Sequence, residues 1–309
     1  MSRLCWAWAK IAAGLAVLSV LLWRLGTGPF IDGVGNVSPG ALAWATGLGL
    51  LTTVCCAWRW RTVARGLSIE LSLGRAITAY YRSLFLNVTL PGGIIGDVHR
   101  GISHGRKVSD LGRGLRVVIW ERSSGQVVQL MLTIVVLLAL PSPVQSAMPL
   151  VTIILVVTVV GLVLVGRSRN LSFATTITAD IRAGLLAKRA WLPIAISSAI
   201  IVIGHATTFL IAARTAGVTA SPSRMLPLAL LAMLAMVLPS IGGWGPREGA
   251  TAWVFGAAGL GADRGVATAV AYGVMVFAAS LPGAIVLVAA WLGRLSTHRV
   301  LRPDGAADA

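Results

Sequence analysis

Six ionisable side chains stand in stretches otherwise built for lipid: Asp97, Arg100, Glu121, Arg122, Arg247 and Glu248. Four of them belong to two Pro/Gly-rich stretches, "LPGGIIGDVHR" (Leu90 to Arg100) and "LPSIGGWGPRE" (Leu238 to Glu248). A guanidinium offers a planar fork that fits a phosphate or carboxylate bidentately. Glycine-rich backbone can expose a row of N–H groups, a nest for an anion. These residue types together point to the handling of a polar, anionic group such as phosphate at membrane depth.

Each position has a physical reason. Pro91 lacks an N–H and turns the residue before it away from helical geometry. Gly92, Gly93 and Gly96 allow positive φ and close backbone approach. Asp97 and Arg100 are three apart, a spacing that lets them pair across one helical turn. In the second stretch Pro239, Gly242, Gly243 and Gly245 do the same backbone work, and Pro246 suits the first turn of a new helix. Glu248 either balances Arg247 or carries a proton. Asn87, four residues before Pro91, is placed to bond carbonyls freed by the break. A plainer reading is a tight turn at each stretch, with Asp97 and Glu248 only capping the helix that follows. Two such stretches in matched positions favour function, because intramembrane charges are costly. In "WERSS", Glu121 and Arg122 are adjacent and do not face each other on a helix. Each then needs another partner, for which Arg247 and Asp97 are the candidates; the alternative places both at the membrane interface.

The elements that must position these groups are spans. The chain is 56% hydrophobic and 12% charged, with mean hydropathy +0.84. Soluble domains carry about 25% charge, so this is an all-α integral membrane protein, read as one transmembrane domain over 1–309. Apolar runs predict full spans near 6–24, 40–58, 117–140, 147–166, 191–213 and 266–292. Shorter runs near 76–90 and 225–240 end in the two Pro/Gly stretches and predict re-entrant or broken helices. Eight full spans are the alternative. With the N-terminus cytoplasmic, most of the 26 basic residues, Arg59 and Arg100 among them, fall inside. Arg24, Arg214, Arg224 and Arg264 fall outside, and Arg122 and Arg247 at membrane depth. This bias places both termini in the cytoplasm. The order span, span, dip, span occurs twice with opposite entry, an inverted repeat with halves near 1–143 and 144–309. Transporters use this plan and bind substrate between the halves.

Other features are plainer. The first apolar run is read as an uncleaved span, with Lys10 snorkelling. Cys5, Cys55 and Cys56 have no metal-ligand spacing, which predicts no metal site and no disulfide. There is no P-loop, HExxH or Ser–His–Asp set, so no cofactor is expected and any transport is passive or ion-coupled. The net charge of +16 is assigned to cytoplasmic loops and anionic lipid, not to nucleic acid. His99 and His104 are expected to be solvated in a basic loop, and His205 to be a hydrogen-bonded packing residue. Trp6, Trp8, Trp23, Trp58, Trp60 and Trp120 fit an interfacial belt.

The pattern N-x-x-LPGGxxGDxxR (Asn87 to Arg100), the pair Glu121–Arg122 and LPSIGGWGPRE resemble the lysylphosphatidylglycerol synthase transmembrane region family, also called flippase-like proteins. The resemblance spans roughly 10–293. Ile94–Ile95 departs from the smaller residues common in relatives. In the family's best-known members this membrane part moves aminoacyl-phosphatidylglycerol from the inner to the outer leaflet, while a soluble domain attaches the amino acid. No stretch here resembles that domain, so synthase activity is not implied. Other relatives are linked to polyprenyl-phosphate sugar pathways. The resemblance therefore implies an inner-membrane lipid flippase, not an enzyme. Its partner would be a lipid with an anionic phosphate headgroup, and a separate lipid-modifying enzyme is a further candidate. The phosphate would lie near Arg247, Arg122 and the glycine nests, and Arg247→Ala is expected to abolish transport while leaving folding intact. The alternatives are an accessory subunit of a lipid-modifying complex and an intramembrane enzyme using Asp97 or Glu248.

Overall fold

The structure, a computed structural model, describes residues 15–90, 93–147, 172–236 and 244–300. It is helical, with no strand among the described residues. In chain order the helices are α1 (Leu15–Leu25), α2 (Gly28–Gly35), α3 (Pro39–Gly66), α4 (Leu73–Thr89), α5 (Ile95–Lys107) and α6 (Leu111–Ala139). They continue as α7 (Ser172–Asp180), α8 (Trp191–Thr215), α9 (Pro222–Ala235), α10 (Pro246–Ala257) and α11 (Ala262–Val300). A π-helical turn, Ile181–Leu185, follows α7.

Among the described residues, four helices are long and apolar enough to cross a membrane: α3, α6, α8 and α11 over Ala262–Leu292. They match four of the six expected spans. The first expected span is described only from Leu15, and it breaks at Gly26 (φ +71°), bending by 101° into α2. The pair α1–α2 is thus a fifth, bent candidate. The expected span at 147–166 falls almost wholly outside the described residues, as do Trp6, Trp8, Cys5, Lys10 and the extreme termini.

The short helices explain themselves by length. At 1.5 Å per residue, α4, α5, α9 and α10 run about 18–26 Å, less than the roughly 30 Å hydrocarbon core. Leu90 ends α4 in extended geometry (ψ 146°), as a residue before proline should. The next helix then runs back along α4. Asn87 meets Gly96 and Asp97, Ser83 meets Asp97, and Tyr80 stacks on Arg100. Pairs that climb away from the break in this way define an antiparallel hairpin. The same holds in the second half, where Arg224 at the start of α9 donates to the carbonyl of Ala258 just past α10.

Long helix, short helix, break, short helix, long helix therefore occurs twice: α3 to α6, then α8 to α11. The two sets interleave, with α3 packed on α8 and α11 packed on α4. Small residues set these crossings. A Cβ on Gly49 would lie 2.5 Å from Ala279 Cβ, and one on Gly204 2.5 Å from Thr52 Cγ2. The segment "HRGISHGRKVSDLGRGLR" is not the expected loop. Most of it is α5 and the first turns of α6, closed together at Gly105 and Gly114, where an added Cβ would lie 2.7 and 2.5 Å from the opposite backbone.

Candidate functional site

The first hairpin and α6 assemble one buried cluster. Asp97, in the first turn of α5, accepts from Ser83 Oγ (3.0 Å) and Asn87 Nδ2 (3.0 Å) on α4. It also accepts from Arg100 Nη2 (3.0 Å) and from Arg122 Nη2. Arg100 Nη2 reaches Glu121 Oε2 at 2.9 Å. Glu121 Oε1 accepts from Arg59 Nε (3.0 Å) and Nη2 (2.6 Å) and from the Tyr80 hydroxyl (3.3 Å). Arg59 Nη1 goes on to Ser198 Oγ at 3.0 Å, joining α3 to α8. Three arginines and two carboxylates leave one positive charge over. The cluster is sealed on most sides: Glu121 is 0% exposed and Arg100 1%. Arg122 is different, because its side chain is 41% exposed.

The expected pairing of Asp97 with Arg100 is present, and Arg122 pairs with Asp97 as one of its two candidates. Glu121 does not meet Arg247. Its partners are Arg59 and Arg100, because α3 runs past α6 and places Arg59 in a slot kept open by Gly125, where a Cβ would fall 2.4 Å from the guanidinium. Arg59 was expected on the cytoplasmic side, just past the end of its span. Among the three arginines of "CCAWRWRTVARG", nothing in the sequence signals that Arg59 is the one that faces inward. Asn87 does not satisfy freed carbonyls; it holds the Asp97 carboxylate and accepts the Gly96 N–H (2.8 Å). Trp60 and His104 are likewise buried and not solvated: Trp60 stacks on Arg100 (4.5 Å) and packs edge-on against His104 (5.4 Å). Trp120 is half-buried, and its Nε1 donates to Asp180 (3.0 Å), which also pairs with Arg116 (2.8 Å). Trp23 and Trp58 are exposed, as a belt requires.

The second hairpin carries a smaller pair. Arg247 donates through Nε (2.9 Å) and Nη2 to Glu248 Oε1. Glu248 Oε2 accepts the Gly245 N–H (2.7 Å), so this carboxylate both caps α10 and balances the arginine. Gly245 has φ +104° and Gly93 φ +66°, the left-handed geometry expected of these stretches. Gly96 instead is helical and serves close approach: a Cβ there would sit 2.0 Å from the Ser83 carbonyl oxygen. Pro91, Gly92, Pro239, Gly242 and Gly243 lie outside the described residues. Arg247 faces the rings of Trp244 (5.3 Å) and Tyr272 (5.6 Å). Tyr272 bonds His205 Nδ1 (3.0 Å), the packing role expected of that histidine. His205 and Tyr80 in turn line one small cavity of about 50 Å³ between the two halves. That is room for water and not for a lipid headgroup. Neither charged group lines this cavity: Tyr80, bonded to Glu121, stands between it and the first, and His205, bonded to Tyr272, between it and the second.

Fold and site define a multi-pass helical membrane protein with ionised side chains gathered inside its bundle. The family model of the lysylphosphatidylglycerol synthase TM region matches residues 8–283, and the chain belongs to that family. Among curated proteins, none matches the chain.

Proposed function

We propose that this protein moves a phosphate-bearing lipid, of aminoacyl-phosphatidylglycerol or polyprenyl-phosphate type, between the leaflets of the cell inner membrane. The observation that carries the reading is Arg122. It is held by one carboxylate yet 41% exposed, beside arginines that are sealed. An arginine kept charged by Asp97 and open on one side can take a second anion. The phosphate would meet Arg122, the tails would stay in the bilayer, and Arg247 would act on the opposite side of the small cavity. Passage then requires the two helix sets to rock about the interface of α3 with α8, as inverted repeats do. In this reading the hairpins α4–α5 and α9–α10 are re-entrant from opposite faces, the termini are cytoplasmic, and the chain is a carrier and not an enzyme. The charge bias supports the orientation even with buried Arg59 and Arg100 removed from the count.

The expected effect of Arg247→Ala must be revised. Arg247 is the ion partner of fully buried Glu248, so its loss strands a charge and costs stability. Arg122→Ala is the cleaner variant, because Asp97 keeps Ser83, Asn87 and Arg100. The test is leaflet exposure of labelled aminoacyl-phosphatidylglycerol and polyprenyl-phosphate lipids in proteoliposomes. Acceleration by the wild type, lost in folded Arg122→Ala, is the expected result. No movement of either lipid by folded wild-type protein would overturn the proposal in favour of an accessory subunit.

A further inference from the structure

Arg100 has a second side that the central cluster does not use. Its Nη2 is committed to Asp97 and Glu121, but Nε and Nη1 are buried and have no hydrogen-bond partner among the described residues. The rings of Trp60 and Tyr80 lie 4.5 and 4.2 Å from the guanidinium carbon. Stacking satisfies the faces of a guanidinium, whereas its N–H groups lie in the plane and still want acceptors. One helical turn on, His104 is 7% exposed and its Nε2 is also unpartnered among the described residues. Buried N–H groups are costly to leave without an acceptor, so a site that gathers several suits a ligand with many acceptor oxygens.

Both residues line the same cavity, of about 180 Å³, between the start of α4 and the end of α5. Arg75, Arg82 and Lys107 also line it, against one carboxylate, Glu70. Asp97, Glu121 and Arg122 do not. The pocket thus combines buried donors without a hydrogen-bond partner among the described residues at its floor with two exposed cations, Arg75 and Lys107, at its mouth. That is the chemistry of a phosphate group: three or more acceptor oxygens and negative charge. We infer that this pocket is a phosphate-binding site, filled by a lipid phosphate or by a free one, and distinct from the site around Arg122. The inference concerns binding and holds whether or not the chain transports.

The test uses the full chain in nanodiscs of neutral phosphatidylcholine. Inorganic phosphate is titrated in and followed by phosphorus NMR line broadening. The variant is Arg75→Gln with Lys107→Gln; both residues are exposed, so folding should survive. A charge control is Arg224→Gln with Arg264→Gln, away from the pocket. Saturable broadening that weakens about tenfold in the pocket variant, but not in the control, is the expected result. Repeating it with phosphatidic acid in the nanodisc separates the sources. Broadening lost there assigns the site to a lipid phosphate, and broadening kept assigns it to a free one. If inorganic phosphate does not bind, lipid retention by native mass spectrometry takes its place; phosphatidic acid lost selectively from the pocket variant also supports the site. Binding of both probes that is absent or indifferent to Arg75 and Lys107 overturns it.

Discussion

Glu121 and Arg122 are neighbours in sequence and opposites in role. Glu121 is wholly enclosed and holds Arg59 and Arg100 together, so removing it leaves two buried guanidinium groups short of a counter-charge. Breaking a buried pair costs about 3–5 kcal/mol. Glu121→Ala should therefore lower the melting temperature and the monodisperse yield in detergent sharply. Arg122→Ala, at a half-open position, should change neither by much. Equal stability of the two variants would refute this division of labour. The residue pair was legible as two side chains needing separate partners, since adjacent helical residues diverge by about 100°. Asp97 was among the candidates and is the partner of Arg122; the partners of Glu121 were not legible, because Arg59 lies on a helix distant in sequence.

At the scale of elements, the hairpins stand on glycines at crossings more than on glycines at turns. The α4–α5 crossing passes Gly96 under the Ser83 carbonyl with no room for a methyl group. Gly96→Ala should cost about 1–3 kcal/mol, the usual penalty of overpacking, and should pull Asp97 off Asn87. Gly47→Ala on α3, where an added Cβ meets nothing within 4 Å, is the control and should be neutral or slightly stabilising. Thermal unfolding of the two variants checks the contrast; a tolerated Gly96→Ala would mean that the crossing is looser than drawn. Gly273 plays the same part beside Arg247, whose guanidinium fills the space a Cβ would need. The short helices and their breaks were readable from Leu-Pro followed by glycines. That the chain turns back along α4 was the re-entrant reading, but the sequence left a broken or full span open beside it, because a broken span and a hairpin have the same local sequence.

At the scale of the whole molecule, the repeated element order makes a prediction about sidedness. If the repeat is inverted, the open end of α4–α5 at Arg75 and the open end of α9–α10 at Arg224 face opposite sides of the membrane. In a background with Cys5, Cys55 and Cys56 replaced by alanine, Arg75→Cys should label with an impermeant thiol reagent from the cytoplasmic side. Arg224→Cys should label from the other. Labelling of both from one side would rule out the inverted arrangement and the rocking motion built on it.

The sequence by itself determined that this is a helical membrane protein, where four of its long spans and two of its short helices fall, and which family it belongs to. Hydrophobic run length and Pro/Gly punctuation act locally and can be read in one dimension. Only the tertiary structure decided who holds whom: Arg59 with Glu121, Trp60 and Tyr80 around Arg100, His104 buried beside a basic pocket. Those pairings join residues up to 62 positions apart. They depend on which helix faces meet, and in a lipid-soluble chain apolar periodicity is too weak to say which face looks inward, because both lipid and core accept apolar side chains.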